Sequence, residues 1–320
     1  MSSATGYVAG MTTDAPSRET TLRAVAQTAR WTAAARARET ERPDRLFSDP
    51  FAGLLAGTDG PALLRHFHTA HAAEDGNPFL PIRTRWFDDF LRASVTSGRQ
   101  VVGLGVGLDS RAYRLSWPPG TVMFEVDQPE LLSYKNELLA AEGSGAGCQR
   151  RMVPVDLAQD WRARLLDAGY DPHDRSVWFA EGLLFYLPDQ LAGQTVEWAA
   201  ELACPGSRLA VDLIGTGVFR LRYLRTFLRR LERAGSPWRF ATDEPARFVA
   251  ERGWRVDELT EPGDPGANYG RWPERANTST PANLPRSFLV AASLTERRHP
   301  GASATGARRT EPTEDTIGAG

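Results

Sequence analysis

Apolar runs alternate with amphipathic stretches through most of the 320-residue chain. Short runs rich in Val, Ile, Leu and Phe predict buried strands, and apolar residues at helical spacing predict helices between them. Continuous apolar runs are typical of parallel sheets that are covered on both faces. Seven strands are predicted in this way, at 100–105, 122–127, 151–156, 176–182, 207–214, 254–259 and 287–294. The alternation predicts an α/β fold.

Helices are predicted between several of these strands, at 129–142, 188–202 and 243–252. Between the last two strands, the residues at 260–286 are rich in Pro, Gly and Asn and favour a loop over a crossover helix. Two strands joined without a crossover helix can pair antiparallel. We therefore predict a Rossmann-like sheet of seven mostly parallel strands whose last pair is antiparallel.

The ends of the chain differ in composition from its middle. Both ends carry few large apolar side chains, so burial cannot offset the entropy of ordering them. Helical spacing at 20–39 and 88–98 predicts a helical region before the first strand. The predicted parts are a disordered tail at 1–18, an N-terminal helical lid region at 19–98, a Rossmann-like core at 99–295 and a disordered tail at 296–320.

An insertion is predicted at 215–240, directly after the fifth strand, with a helix at 218–235. A lid over the carboxyl edge of the sheet is one interpretation, and an amphipathic surface helix with solvated charges is the other. The insertion mixes large apolar side chains with arginines, and these are Phe219, Tyr223, Phe227 and Trp238 with Arg220, Arg222, Arg225, Arg229 and Arg230. As a lid, it would favour an aromatic or acidic small molecule.

Composition and charge exclude several classes of protein. A hydrophobic content of 41% is ample for a large core, and a net charge of −2 gives no bias toward nucleic acid or anionic membranes. The apolar runs are too short to span a bilayer, and no secretory signal opens the chain. Cys148 and Cys204 lack the neighbours of a zinc site, so no metal is expected. A cytoplasmic protein is expected.

The first predicted strand continues into a glycine loop with Gly103, Gly105 and Gly107. A dinucleotide fingerprint counted from Gly103 would place its last glycine at the position of Leu108. The complete fingerprint serves a pyrophosphate, and a ligand without pyrophosphate does not require it. The loop alone is weak evidence, because such loops follow many strands.

Acids lie at or near the carboxyl ends of the next three strands, the edge where open α/β folds bind ligands. If the ligand is S-adenosylmethionine, Asp127 can accept from the ribose hydroxyls. Asp156 can accept from the adenine amino group, and the Leu157 N–H can donate to a ring nitrogen. Glu181 faces the positively charged methionine end. A helix cap is the alternative for each acid, and for Asp127 the two roles are compatible. For Glu125 and Asp109 we favour structural roles.

Several motifs in order carry a resemblance to a known family. They are "RARETERPDRLFSDPFA" at 36–52, "PIRTRWFDDFL" at 81–91, "VVGLGVGLDSRAYRL", "FEVDQPELLSYK", "VPVDL" and "WFAEGLLFYL". Together they resemble the bacterial branch of the leucine carboxyl methyltransferase family over 20–294. Two positions depart from the family pattern, Val106 and Asp212, and neither puts the cofactor in doubt.

The resemblance implies a class I methyltransferase fold, S-adenosyl-L-methionine as cofactor, and methyl transfer to oxygen. An arginine of the family's "RT" motif holds the cofactor's carboxylate and matches Arg83, for which a surface salt bridge is the alternative. The other matches are Gly105 in the glycine loop, Asp127 at the ribose, Asp156 and Leu157 at the adenine, and Glu181 as the acid of the fourth motif. An N-terminal basic residue also contacts the cofactor in relatives. Arg36 and Arg38 are both candidates, and neither is assigned because the spacing before "DPF" differs from the family pattern.

Methyl transfer is an in-line displacement with a neutral leaving group, so positioning is the main task of the enzyme. A carboxylate acceptor is ionised at neutral pH, whereas a phenol of pKa about 10 needs a base. His66, His68 and His71 could supply one, but a solvated helix face is the simpler interpretation, and no catalytic residue is assigned. The predicted function is S-adenosylmethionine-dependent O-methylation of a carboxylate or phenolic hydroxyl of a small molecule in bacterial secondary metabolism. The alternatives are a non-catalytic cofactor-binding protein and methylation of a protein or peptide carboxylate.

Overall fold

A computed structural model describes residues 18–67, 78–96, 99–272 and 286–295, with side chains from residue 27 onward. Apart from Arg18, the predicted tails at 1–18 and 296–320 lie outside these ranges. Among the described residues, no helix combines the length and apolarity that crossing a membrane requires.

One seven-stranded sheet organises the fold, in the order β3-β2-β1-β4-β5-β7-β6. The first five strands pair in parallel, and β7 runs antiparallel to both β5 and β6. The predicted mostly parallel sheet with an antiparallel last pair is confirmed. The strands are β1 (Gln100–Leu104), β2 (Val122–Asp127), β3 (Gln149–Pro154), β4 (Ser176–Ala180), β5 (Arg208–Ile214), β6 (Arg255–Thr260) and β7 (Ser287–Ser293).

Ten α-helices of the described residues cover the sheet and its carboxyl edge. The helices predicted at 129–142, 188–202 and 243–252 are present, and the one at 88–98 is the second half of α4. The helices are α1 (Arg18–Thr40), α2 (Ala52–Ala56), α3 (Gly60–His66), α4 (Phe79–Ser94), α5 (Arg111–Arg114), α6 (Pro129–Ala141), α7 (Arg162–Asp167), α8 (Asp189–Leu202), α9 (Arg225–Arg233) and α10 (Pro245–Ala250).

The core lies on both faces of the sheet, because successive side chains of each strand point to opposite faces. In β4, Trp178 packs into one apolar cluster with Trp161 and Trp254. Its neighbour Phe179 packs into the other cluster, against Phe87 of α4. Burial on both faces explains why these strands are continuous apolar runs.

The N-terminal helices lie over the loop that follows β1. Ala33 and Ala34 of α1 pack with Leu55 of α2 and with Leu108. Leu108 is 2% exposed, so the residue in the place of the last fingerprint glycine is a packing contact for α1. The leucine at this position therefore anchors the helical region to the loop.

The prediction of one continuous helix at 218–235 is wrong in its first part. Two 3₁₀ turns, Thr216–Phe219 and Arg222–Leu224, precede α9. Leu221 between them has an extended backbone, with φ −74° and ψ 119°. With this break, Val218 and Leu224 pack in one cluster with Phe185 and Ile214.

Candidate functional site

A cavity of about 290 Å³ opens at the carboxyl edge of the parallel strands. Its walls come from α1, from the segments after the first four strands, and from the residues between α9 and β6. The structure brings all six predicted site residues to this cavity: Arg83, Gly105, Asp127, Asp156, Leu157 and Glu181.

Gly105 turns the chain away from β1 into the loop that lines the cavity. Its φ of +60° lies in the left-handed region, and a Cβ would come within 2.6 Å of the Leu183 Cδ1 atom. Its N–H donates to the Val126 carbonyl at 2.8 Å. The left-handed backbone conformation favours glycine here, and any larger residue would also displace the Leu183 side chain.

Asp127 ends β2 and joins two loops of the cavity wall. Its Oδ2 accepts from the Gly107 N–H at 2.5 Å, and its Oδ1 accepts from the Gln128 N–H at 2.6 Å. The residue is 7% exposed, and this burial raises its pKa. A carboxylate has about four acceptor positions, so both oxygens can take a further bond from a ligand.

Asp156 lies two residues beyond β3, since the strand ends at Pro154 and not at 156 as predicted. Its Oδ1 accepts from the Ala158 N–H at 2.9 Å, which leaves the side chain exposed at the cavity wall. Leu157 is 6% exposed and packs into the core, which fixes this turn in place.

Two buried polar atoms fit a polar ligand in this cavity. The Gln128 Oε1 and the Ser236 Oγ both belong to residues of the cavity wall. Neither atom has a hydrogen-bond partner within the described part of the chain. Buried polar groups in proteins are normally hydrogen-bonded, so the two atoms indicate that a ligand supplies their partners.

Glu181 directly follows β4 and lies between two buried arginines. Its Oε1 accepts from Arg83 Nε at 3.0 Å, and its Oε2 is 2.6 Å from Arg111 Nη1. Burial opposes ionisation of Glu181, but the two guanidinium groups outweigh it and hold the pKa below its ordinary value. Arg83 is 6% exposed, so its interpretation as a surface salt bridge is wrong.

Asp212 of β5 completes this group of charges and was not predicted as a site residue. Its Oδ2 accepts from Arg83 Nη1 at 3.2 Å, and its Oδ1 accepts from the Gly182 N–H at 2.7 Å. It is 1% exposed. The signal in the sequence is a single acid within the apolar run "AVDLI". A strand of a buried sheet tolerates such an acid only when it is paired.

The comparisons with known proteins agree with this geometry. The family model described as leucine carboxyl methyltransferase matches residues 29–200. The chain belongs to the leucine carboxyl methyltransferase family. A Mycobacterium avium (strain 104) relative is 39% identical over 269 residues, which are 75% of this chain and 85% of the relative. A Parafrankia sp. (strain EAN1pec) relative is 45% identical over 194 residues, which are 59% of this chain and 63% of the relative.

Both relatives are named "Putative S-adenosyl-L-methionine-dependent methyltransferase". A solved structure of a DUF574 family protein from Streptomyces avermitilis shares the fold, with a TM-score of 0.51 and 15% identity over 83% of this chain and 97% of that one. The predictions of a methyltransferase, of its family and of S-adenosyl-L-methionine as cofactor are confirmed.

Hydrogen bonds and ion pairs around Asp109 and Arg111 stabilise the glycine loop of this methyltransferase. Asp109 accepts from the Arg111 N–H at 2.6 Å and forms an ion pair with the Arg111 guanidinium, which confirms its structural role. Burial opposes ionisation of Asp109, but Arg111, Arg114 and Arg36 outweigh it and lower its pKa to about 2. Asp88 of α4 adds a second carboxylate, 2.7 Å from Arg111 Nε.

Glu125 is also structural in this methyltransferase, as predicted. It is 1% exposed and lies 2.9 Å from the Nζ of Lys135 and 2.8 Å from the Nε of Arg150. Two cations therefore neutralise one buried acid inside β2, away from the cavity wall.

Of the two N-terminal arginines, Arg36 lines the cavity of the methyltransferase. Its Nε donates to Asp49 at 2.8 Å and its Nη2 to the Leu108 carbonyl at 2.7 Å. His66 packs edge-on against Phe67, with ring centroids 5.0 Å apart. His68 and His71 lie outside the described residues.

Proposed function

We propose that this methyltransferase transfers a methyl group to an oxygen of a small aromatic or acidic molecule, and that this oxygen belongs to a carboxylate. When bound, S-adenosyl-L-methionine supplies a methyl group on a positively charged sulfur, and an acceptor oxygen displaces the neutral thioether in line. The protein's own residues must bind both molecules, orient them and exclude water.

The order of the strands supports a direction for the cofactor. Asp127 ends β2 and Asp156 follows β3, so we assign the ribose to Asp127 and the adenine to Asp156 and Leu157. Glu181 follows β4 and Arg83 lies beside it, which suits the ammonium and carboxylate of the methionine part. The bonds of Arg83 to Glu181 and Asp212 use Nε and Nη1, so Nη2 is the nitrogen we assign to the cofactor's carboxylate.

The protonation states of the acids and the tyrosine at the cavity support a carboxylate as the methyl acceptor. Glu181 and Asp109 are held by arginines that lower their pKa values, so both are poor bases at neutral pH. Burial raises the pKa of Tyr186, which keeps this phenol protonated. Burial raises the pKa of Asp127, but we assign this acid to the ribose and not to the acceptor. The groups left for the acceptor favour one that arrives already ionised, and a carboxylate of pKa about 4 does so at neutral pH.

The proposal is tested with pairs of acceptors that differ only in the accepting group. We expect transfer of labelled methyl from S-adenosyl-L-methionine to benzoic acids, with a product that mild base hydrolyses because it is an ester. Phenols of the same ring substitution serve as matched controls. A base-stable ether formed from the phenols, with no ester from the acids, would contradict the carboxylate assignment.

A further inference from the structure

The segment Gly235–Arg239 forms a wall of the cavity that the sequence did not reveal. Gly235 ends α9 with a φ of +77°, and the Ser236 N–H then donates back to the Leu231 carbonyl at 2.9 Å. This pair of features is the usual way in which a helix ends and the chain turns away from its axis. At the other end of the segment, the Arg239 N–H donates to the Phe185 carbonyl at 2.7 Å. The wall is therefore fixed at both ends.

A ring between these two anchors stabilises the wall. The Trp238 ring centroid lies 4.9 Å from that of Phe185 and 5.2 Å from that of Phe227. Aromatic rings at these distances and inclined to one another attract. Ser236 and Arg239, on either side of Trp238, are thus held in place before any acceptor arrives.

Ser236 and Arg239 carry polar groups that have no partner among the residues that the structure describes. Ser236 is 6% exposed, and its Oγ has no partner within the described ranges of the chain. The Arg239 side chain is exposed at the cavity and, within those ranges, pairs with no carboxylate. The other arginines of the cavity differ, because Arg36, Arg83 and Arg111 each contact a carboxylate. A guanidinium and a hydroxyl without partners among the described residues, separated by two residues along one wall of the cavity, suit an anion.

The position of the pair separates it from the adenine end of the cavity. Asp156 follows β3, whereas Phe185, which anchors Arg239, follows β4. These strands are three places apart in the sheet, and at ~4.8 Å per place they are about 14 Å apart. Tyr186, Leu187 and Pro237 also line the cavity. We place the ring of the acceptor against these side chains.

We propose that Ser236 and Arg239 bind a second acidic group of the acceptor, so that the acceptor is an aromatic dicarboxylate methylated on one carboxylate and held by the other. The inference rests on the proposed function and adds the substrate class. Arg239 contributes the two parallel N–H groups that match a carboxylate, and Ser236 donates its hydroxyl. Neither residue touches the reacting atoms, so both determine specificity.

Calorimetric titration of isophthalate and benzoate into the protein saturated with S-adenosylhomocysteine tests the proposal. Isophthalate carries the second carboxylate and benzoate lacks it. We expect isophthalate to bind at least tenfold more tightly, and Arg239→Gln to remove most of this difference, since a charge-assisted bond is worth roughly a factor of ten or more. Ser236→Ala should raise the Kd of isophthalate by roughly threefold or more and leave the Kd of benzoate within about twofold of the wild-type value.

The control is Arg233→Gln, which removes the same charge from an exposed arginine of α9 that does not line the cavity. Arg233→Gln should change neither the Kd of isophthalate nor the Kd of benzoate. The proposal is overturned if isophthalate binds no better than benzoate, if neither binds, or if Arg239→Gln behaves like Arg233→Gln. Methyl transfer is measured on the same proteins with S-adenosyl-L-methionine. Selective binding without any ester would contradict the proposed function and leave the subsite intact.

Discussion

Arg83 donates from its Nε to the Oε1 of Glu181 at 3.0 Å, although 98 residues separate the two along the chain. Arg83 belongs to α4, which precedes the sheet, and Glu181 directly follows β4. Their side chains are only 7% and 12% exposed, so water screens the pair weakly. This ion pair joins the N-terminal helices to the edge of the sheet where we place the cofactor.

Asp212→Asn tests how far the ion pair of Arg83 and Glu181 depends on Asp212, the second carboxylate that Arg83 contacts. The amide removes the charge opposite Arg83 but can still accept from the Gly182 N–H. We expect the free energy of unfolding to fall by about 1–3 kcal/mol and the Kd of S-adenosyl-L-methionine to rise roughly tenfold, because Arg83 is less well oriented. Urea denaturation and calorimetry measure the two effects. Asp160→Asn, at an exposed ion pair, is the control. Lower stability with an unchanged cofactor Kd would make Asp212 purely structural.

Asp127→Asn tests the residue that we assign to the ribose. The substitution keeps the shape of the side chain and removes the charge-assisted bonds, which are worth about 1.5–3 kcal/mol, so the cofactor Kd should rise about ten- to a hundredfold. The new NH₂ group would also face either the Gly107 or the Gln128 N–H, so a modest loss of stability is expected. A variant that melts far earlier yet binds the cofactor normally would show that Asp127 only joins the loops.

The sequence predicts the sheet well because burial dictates its pattern. Strands such as β4 are covered on both faces, so every position is buried, all but Ser176 are apolar, and the run is visible in the sequence. The edge where ligands bind follows from the same pattern, because all parallel strands end there. That is why Asp127, Asp156 and Glu181 could be assigned to one site before their distances were known.

The parts that depend on tertiary contacts could not be predicted. The helical spacing after β5 continues through Leu221, but the turn there is set by the packing of Val218 and Leu224 on Phe185. The insertion of β7 between β5 and β6 is likewise invisible in the order of the strands along the chain. Arg239 is held at the cavity by the bond of its N–H to the Phe185 carbonyl, a contact between residues far apart in sequence.

Asp109 predicts a specific dependence of stability on pH. Its pKa falls from 3.8 to about 2 in the folded protein, so the carboxylate stabilises the fold fully above pH 4 and loses this effect as the pH falls toward 2. The shift corresponds to about 2 kcal/mol. The difference in unfolding free energy between the wild type and Asp109→Asn should therefore be about 1 kcal/mol smaller at pH 3 than at pH 7. Urea denaturation at both pH values measures it, and an equal difference at both would contradict the prediction.

Variants at two phenylalanines of the segment 215–240 distinguish a lid from an ordinary surface helix. Phe227 is 6% exposed and packs against Trp31, so Phe227→Ala should cost about 3–5 kcal/mol of stability. Phe219 is 41% exposed and lines an open groove that shares Pro237 with the cavity wall. Phe219→Ala should therefore change stability by less than about 1 kcal/mol.

If the insertion is a lid, Phe219→Ala should raise the acceptor's KM or lower kcat while the cofactor Kd stays within about twofold. The reason is that the groove shares Pro237 with the wall of the cavity where we place the acceptor. Phe227→Ala is the matched comparison, because it removes the same ring from the core of the same segment. Steady-state kinetics and thermal unfolding are measured on both variants. Unchanged kinetics in Phe219→Ala would contradict the lid and leave 215–240 as a structural insertion.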